Sequence, residues 1–226
     1  MKKFLFKKVS SFLNRQNRYL VEAHSYTHRS KKLDWNRLDF VRRATLDLAA
    51  EEIHRHQISG NVAEVGVFQG DFAKDLNFVF PNKTIYLFDT FSGFHQEDII
   101  TDQNRGFSDG MQDFSQTSVD LVKRKLPYPN QAQFRPGYFP QTAMGLENES
   151  FCLVSLDTDL YEPIVEGLRF FYPRLSPGGF IFVHDYHNDQ YPGVRAAVEE
   201  YAQGNPLSYL PIPDIGGSVV IRKPFG

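Results

Sequence analysis

Two apolar runs in this chain end abruptly in ionisable side chains. Leu153-Val154-Ser155-Leu156 leads into Asp157-Thr158-Asp159, and Phe180-Ile181-Phe182-Val183 leads into His184-Asp185. Such runs read as strands buried on both faces of a parallel sheet, and open α/β sheets bind ligands beyond the carboxyl ends of their strands. If these strands are neighbours, Asp157, His184 and Asp185 stand side by side at one rim. Two carboxylates and an imidazole there would hold a divalent ion, or His184 would act directly as a general base. The structural alternative has Asp157 and Asp159 capping a helix and His184 satisfying local backbone.

A second candidate constellation lies upstream. Glu64-Val65-Gly66-Val67-Phe68-Gln69-Gly70 follows the pattern E-x-G-x-x-x-G, in which Gly66 and Gly70 let backbone approach a ligand as a strand turns into a helix N-terminus. It is not the G-x-G-x-x-G of a dinucleotide site, and the acidic Glu64 suits a cationic or zwitterionic ligand better than a pyrophosphate. Asp89 follows about 20 residues later, the spacing at which a carboxylate receives ribose hydroxyls. Together they fit an adenosine-bearing ligand; on its own, Asp89 would equally cap the next turn.

The elements that must position these residues alternate. Helical spacing over Leu38, Val41, Ala44, Leu48, Ala49 and Ile53 predicts a long helix from 38 to 58, closed by Ser59-Gly60. A strand (62–67), a helix (72–80) and a second strand (84–88) then make a βαβ unit. Residues 92–117 are polar and aperiodic, with Phe94, His95, Phe107 and Phe114 among them, and read as a lid or acceptor-binding loop. Ser118 is placed to cap a short helix. Further strands begin at "AQFRPG" and "SFCLVSLD"; Pro163 opens a helix that "LSPGG" ends before the fifth strand. Arg195–Tyr201 forms another helix, and the tail reads as two strands joined by a Pro/Gly turn.

Composition narrows the function classes. The 226 residues fit one α/β domain with an N-terminal extension. With 25 basic and 27 acidic residues, nothing calls for a nucleic-acid partner, so a small molecule is expected. The lone Cys152, inside an apolar run, reads as a core thiol in a reducing cytoplasm. Lys7 and Lys8 interrupt the N-terminal apolar residues before a signal or membrane span can form. Phe4, Leu5, Val9 and Phe12 could form an amphipathic helix touching anionic membrane, but packing on the protein itself or on a dimer partner is the stronger expectation.

The segments "FVRRATLDLAAEEI", "VAEVGVFQGDFA", "YLFDTFSGF", "GYFPQTA", "LDTDLYEP" and "YPRLSPGGFIFVHDY", in this order, resemble the macrocin O-methyltransferase (TylF-like) family from about Asp39 to Tyr201. The resemblance implies a Rossmann-like class I methyltransferase fold: a mostly parallel seven-stranded sheet with a C-terminal antiparallel hairpin and helices on both faces, over residues 38–226, preceded by a helical extension over 1–37. It implies S-adenosylmethionine as methyl donor, a sugar or glycosylated metabolite as acceptor, a divalent metal, usually magnesium, and a homodimer. By the same resemblance Glu64, Val65, Gly66, Val67 and Phe68 line the methionine side of the cofactor, Asp89, Thr90 and Phe91 the ribose, and Gly137 and Tyr138 the adenine, with Ser118 nearby. Asp157 sits nearest the methyl group as catalytic carboxylate and metal ligand, with Asp185 as a further ligand. The family pattern has two acidic residues where this chain has His184 and Asp185. An imidazole there favours manganese or another transition metal over magnesium, or a catalytic role for His184 as base. A nucleotide-dependent oxidoreductase and a non-catalytic binding protein on the same fold are the alternatives.

Overall fold

The computed structural model describes residues 9, 11–13 and 39–225, and the chain divides into two units, Met1–Asp34 and Trp35–Gly226. In the first unit the described residues are helical. The rest of the expected extension, Phe4 and Leu5 included, and the boundary read at 37/38 lie outside the described residues.

The second unit runs α1 (Phe40–Arg55), β1 (Asn61–Val65), α2 (Asp71–Val79), β2 (Ile85–Asp89), α3 (Gln96–Arg105), α4 (Val119–Lys125), β3 (Ala132–Pro136), β4 (Phe151–Leu156), α5 (Tyr161–Arg174), β5 (Leu175–Val183), α6 (Pro192–Gly204), β6 (Tyr209–Pro211) and β7 (Val219–Arg222). The strands form one sheet in the order β3-β2-β1-β4-β5-β7-β6, and only the pairs made by β7 are antiparallel. The seven-stranded expectation holds, closing hairpin included. From β1 the chain steps outward to β2 and β3, then returns to β4 on the other side of β1. Such a reversal opens a crevice at the strands' carboxyl ends.

Both faces of the sheet are covered. Ile164, Leu168, Val194 and Val198 of α5 and α6 pack on one side with Val154, Leu156 and Ile181; Leu46, Ile53, Leu76 and Val122 of α1, α2 and α4 pack on the other with Val62, Leu87 and Leu153. Apolar burial of this kind, worth roughly 25 cal/mol per Å² removed from water, drives the layering. Cys152 is a free thiol in the core, as read.

Three local readings need correction. First, α1 ends at Arg55, with Gln57 in the left-handed region, and its buried residues are Arg42, Leu46, Ala49, Ala50 and Ile53, while Leu48 is exposed. The apolar stripe is rotated from the one read, and an arginine lies on it. Second, Leu175-Ser176-Pro177-Gly178-Gly179 is already strand, with Leu175 paired to Phe151.

Third, the segment read as aperiodic contains α3. Glu97 and Asp98 in its first turn suit the helix dipole, and Gly106, with φ of 70°, ends it. Hydrophobic periodicity misses this helix because its buried positions, one turn apart, are Asp98 and Asp102. The Tyr138 hydroxyl donates to Asp98 Oδ1 (2.7 Å), and the Tyr161 amide at the start of α5 donates to Asp102 Oδ1 (3.0 Å). The α5 N-cap residue, Leu160, has no side-chain acceptor, so Asp102 caps that helix from outside.

Burial pushes both carboxyls up to about 6, Asp98 against its hydrogen bond from Tyr138 and Asp102 against its bond from the Tyr161 amide. A folded-state pKa above the unfolded value adds stability that is complete below about pH 4 and is lost as pH rises through about 6. Amide protection over residues 96–105, corrected for intrinsic exchange, is therefore expected to fall about tenfold or more between pH 4.5 and 7 relative to the sheet. In Asp98→Asn, which still accepts from Tyr138 and does not ionise, the fall should be smaller. Hydrogen-exchange mass spectrometry measures both, and flat wild-type protection would contradict the assignment.

Candidate active site

The β4–β5 register sets Leu156 opposite Val183, so the next residues, Asp157 and His184, leave the sheet side by side. The ladder continues one step past the strands: Asp157 N donates to Val65 O, and His184 N to Leu156 O, both at 2.9 Å. These bonds fix the backbone that carries the rim. Asp157 and His184 thus meet as the strand reading expects.

His184 Nδ1 lies 3.0 Å from Asp157 Oδ1 and 2.5 Å from Asp185 Oδ2, and the Asn188 amide donates to Asp185 Oδ1 at 2.7 Å. Arg42 reaches in from α1. Its Nη1 donates to Asp157 Oδ2 at 2.8 Å, its Nη2 to Ser155 Oγ at 3.0 Å, and its guanidinium lies 3.9 Å over the Phe72 ring. Asp157 therefore has one oxygen on a guanidinium and the other on an imidazole.

The charges follow. Burial acts to raise the Asp157 carboxyl, but Arg42 and His184 overcome it and hold the group well below the usual carboxylate range. Burial is the largest influence on the His184 ring and opposes its charge, and Arg42 repels it, yet the Asp157 charge and the hydrogen bonds to Asp157 and Asp185 together push the ring up to about 10. The rim thus sets the Arg42 guanidinium and the His184 ring against the carboxyls of Asp157 and Asp185. Burial, with Asp157 and Asp185 beside it, pushes the Asp159 carboxyl well above its ordinary value.

A cleft of about 550 Å³ opens below this rim. It is lined by Glu64, Val65, Gly66, Val67, Phe68, Asp89, Thr90, Gly137, Tyr138, Asp157, His184 and Asp185, all expected on sequence grounds. Phe91 and Ser118 are not among the lining residues: Phe91 packs against Phe134, and the Ser118 hydroxyl caps α4 by accepting from Leu121 N. Gly66, at φ of 83°, is required where it stands, since a Cβ there would lie 1.9 Å from the Asp157 carbonyl oxygen. Phe68, Phe91, Asp159 and Asp185 also adopt positive φ without being glycine, so backbone strain is concentrated at the strand ends that shape the cleft.

Asp89 does more than its spacing suggests. Its Oδ2 accepts from the amides of Val67 and Phe68, both at 2.8 Å, and its Oδ1 from the amide of Phe91 at 2.6 Å. One carboxylate thus clamps the glycine turn to the turn after β2. Sequence reasoning missed Arg42, although the series Arg42, Leu46, Ala49, Ile53 carries the helical spacing that would have placed it inward.

The macrocin-O-methyltransferase (TylF) family model matches residues 1–222. The chain belongs to this family. Macrocin-type relatives include the mycinamicin III 3''-O-methyltransferase of Micromonospora griseorubida, 30% identical over 179 residues, which cover 72% of this chain and 68% of the relative. A Streptomyces olivaceus 8-demethyl-8-(2,3-dimethoxy-alpha-L-rhamnosyl)-tetracenomycin-C 4'-O-methyltransferase is 38% identical over 94 residues, 42% of this chain and 34% of that one. Among solved structures, the O-methyltransferase NovP superposes with a TM-score of 0.66 at 20% identity, covering 95% of this chain and 88% of that one, a likeness of fold. Membership in this O-methyltransferase family decides against both the oxidoreductase and the non-catalytic readings.

Removal of the Asp89 clamp is expected to act before any ligand is present. Asp89→Ala should lower the unfolding free energy by roughly 2–4 kcal/mol, since it deletes three backbone hydrogen bonds to a charged acceptor. Asp89→Asn should lie between the variant and wild type in urea denaturation. Wild-type stability in Asp89→Ala would show that the turns hold without it.

Proposed function

We propose that the chain methylates a hydroxyl of a sugar or glycosylated small molecule, with S-adenosylmethionine as donor and Asp157, His184 and Asp185 as the reactive rim. The observation that carries this reading is the convergence of those three side chains directly above a cleft built on Gly66 and Asp89. The rhamnosyl acceptor in one relative's name supports a sugar. The cleft suits the donor: backbone comes close at Gly66, and Glu64 is a buried acid with one free oxygen.

The rim also fits a divalent cation. One donor atom from each of Asp157, His184 and Asp185 lies within 4.8 Å of the others, and Asp157 has only Oδ1 to give because Arg42 holds Oδ2. Two oxygens and a nitrogen suit manganese or another first-row metal better than magnesium. When bound, S-adenosylmethionine supplies an electrophilic methyl group, and a cation supplies Lewis acidity that lowers the pKa of an acceptor hydroxyl.

The protein's own part is positioning and proton control. Arg42 keeps Asp157 ionised and aimed, Asp185 orients the imidazole, and His184 gives up its ring proton before its Nδ1 can ligate. A second reading, His184 as base, draws on the same grip: with Nδ1 held by two carboxylates, Nε2 is the nitrogen left to act, on the side of Gly216, where a Cβ would stand 2.6 Å from it. We favour the cation, because Asp157, His184 and Asp185 each turn a donor atom toward one point of the rim.

Residues 92–117 serve as the acceptor lid in this proposal. Phe94 and Phe114 line the cleft, Phe114 contacts both Phe68 and Phe94, and His95 stacks on Tyr138 at 4.0 Å. A homodimer and a cytoplasmic location complete the reading; no described helix is long and apolar enough to cross a membrane.

Calorimetry with manganese and magnesium chlorides tests the rim. Manganese should bind more tightly than magnesium, Asp157→Asn and Asp185→Asn should lose binding, and His184→Asp should shift preference toward magnesium. On a panel of rhamnosides and other vicinal-diol glycosides, chelator should suppress methylation, and Asp157→Asn should slow it by roughly 100-fold or more. Chelator-resistant turnover with no metal binding would favour the His184 base; no methylated sugar with any acceptor would remove the sugar assignment.

A further inference from the structure

Past Asp185 the cleft wall takes in one further residue of the segment between β5 and α6, Tyr191. The residue is buried, at 5% exposure, yet its hydroxyl has no hydrogen-bond partner among the described residues. Nor is that oxygen one of the enclosed and unpaired polar atoms, so the face it keeps open looks into the cleft. A buried tyrosine ordinarily finds a partner for its O–H. Tyr138, the other tyrosine of the wall, gives its hydroxyl to Asp98; Tyr191 has one left to offer.

The backbone beneath this ring is tied to the rim itself. Tyr191 N donates to Asn188 O at 3.0 Å, the Asn188 side chain donates to Asp185 Oδ1 at 2.7 Å, and Val194 N, in the first turn of α6, donates to Tyr191 O at 3.1 Å. The rim carboxylate and the tyrosine are thus two ends of one hydrogen-bonded turn, set before any ligand arrives. Burial, with the carboxyls of Asp159, Asp185, Asp109 and Asp157, raises the hydroxyl well above its ordinary value, so it stays protonated and is available as a donor.

The order of the strands says which ligand Tyr191 meets. The residues expected to hold the methyl donor stand on the turns after β1, β2 and β3, with Asp157 after β4, whereas Tyr191 follows β5, on the far side of β4 from those three turns. The ligand on that side of the rim is the acceptor. We propose that the Tyr191 hydroxyl donates to a second hydroxyl of the sugar acceptor, on the same ring as the one that is methylated, and thereby selects sugars that carry it. This rests on the acceptor proposed above and adds a specificity-determining residue that neither the sequence pattern nor the family resemblance assigns. A sugar lacking that hydroxyl leaves a buried donor unpaired, the kind of mismatch that a site penalises most strongly.

Kinetics on a glycoside that wild type methylates, and on its deoxy analogues, each lacking one of the other ring hydroxyls, test this. Tyr191→Phe removes one oxygen and keeps the ring; it should lower kcat/KM on the parent glycoside about tenfold or more, the scale of one lost hydrogen bond. One analogue should cost wild type a similar factor, and Tyr191→Phe should turn over that analogue and the parent alike. The remaining analogues should lose the same factor in both proteins. Calorimetric affinity for S-adenosylmethionine should be equal in the two, which also reports that the variant folds. Unchanged kcat/KM in Tyr191→Phe, or losses on every analogue as large in the variant as in wild type, would overturn the role of Tyr191 while the sugar assignment stands. Weaker binding of S-adenosylmethionine by Tyr191→Phe would put the residue on the donor and overturn that role too. A wild type that binds S-adenosylmethionine but methylates no glycoside would overturn both the role and the sugar assignment.

Discussion

Asp157 is held between Arg42 and His184, and the rest of the site depends on that grip. An ionised carboxylate at the edge of a buried sheet is costly unless its charge is matched and its lone pairs are filled. Here a guanidinium at 2.8 Å and an imidazole at 3.0 Å do both. Meeting that need constrains the surroundings: α1 must present an arginine on its buried face, Ser155 must offer a hydroxyl from inside β4, and Phe72 must supply a ring for the guanidinium to lie on. Each of these polar or charged choices would look like an error in a core built for stability alone.

The sheet supplies the place and the turns supply the shape. Reversal of strand order between β1 and β4 opens the crevice, and the close approach at Gly66 brings the first turn against the backbone of Asp157. Positive φ at Phe68, Phe91, Asp159 and Asp185 works against the intrinsic preference of those residues. Asp89 offsets part of this by bonding the amides of Phe68 and Phe91, two of the strained positions, so one side chain stabilises both turns.

Helix α3 links regions far apart in sequence. Asp98 holds Tyr138 of the segment after β3, and Asp102 caps α5, which follows the Asp157–Asp159 loop directly.

Local pattern determined much of this protein: the alternation of strands and helices, the closing hairpin, the glycine turn, and the acids and histidine at the ends of β2, β4 and β5 all follow from hydrophobic period and turn residues. These were legible because each depends on neighbours a few positions away. Tertiary structure decided which way α1 faces, since the stripe holding Arg42 is buried only because Asp157 and Ser155 wait opposite it. It decided that α3 exists as a packed helix, because its buried contacts are carboxylate hydrogen bonds to Tyr138 and Tyr161, which carry no apolar period. It also left Ser118 and Phe91 off the cleft wall and turned Asp89 into a clamp. For Arg42, Asp98, Asp102 and the Val67 and Phe68 amides that Asp89 holds, the partner lies 21 residues or more away, and only folding brings the complementary charge or hydrogen-bonding group within reach.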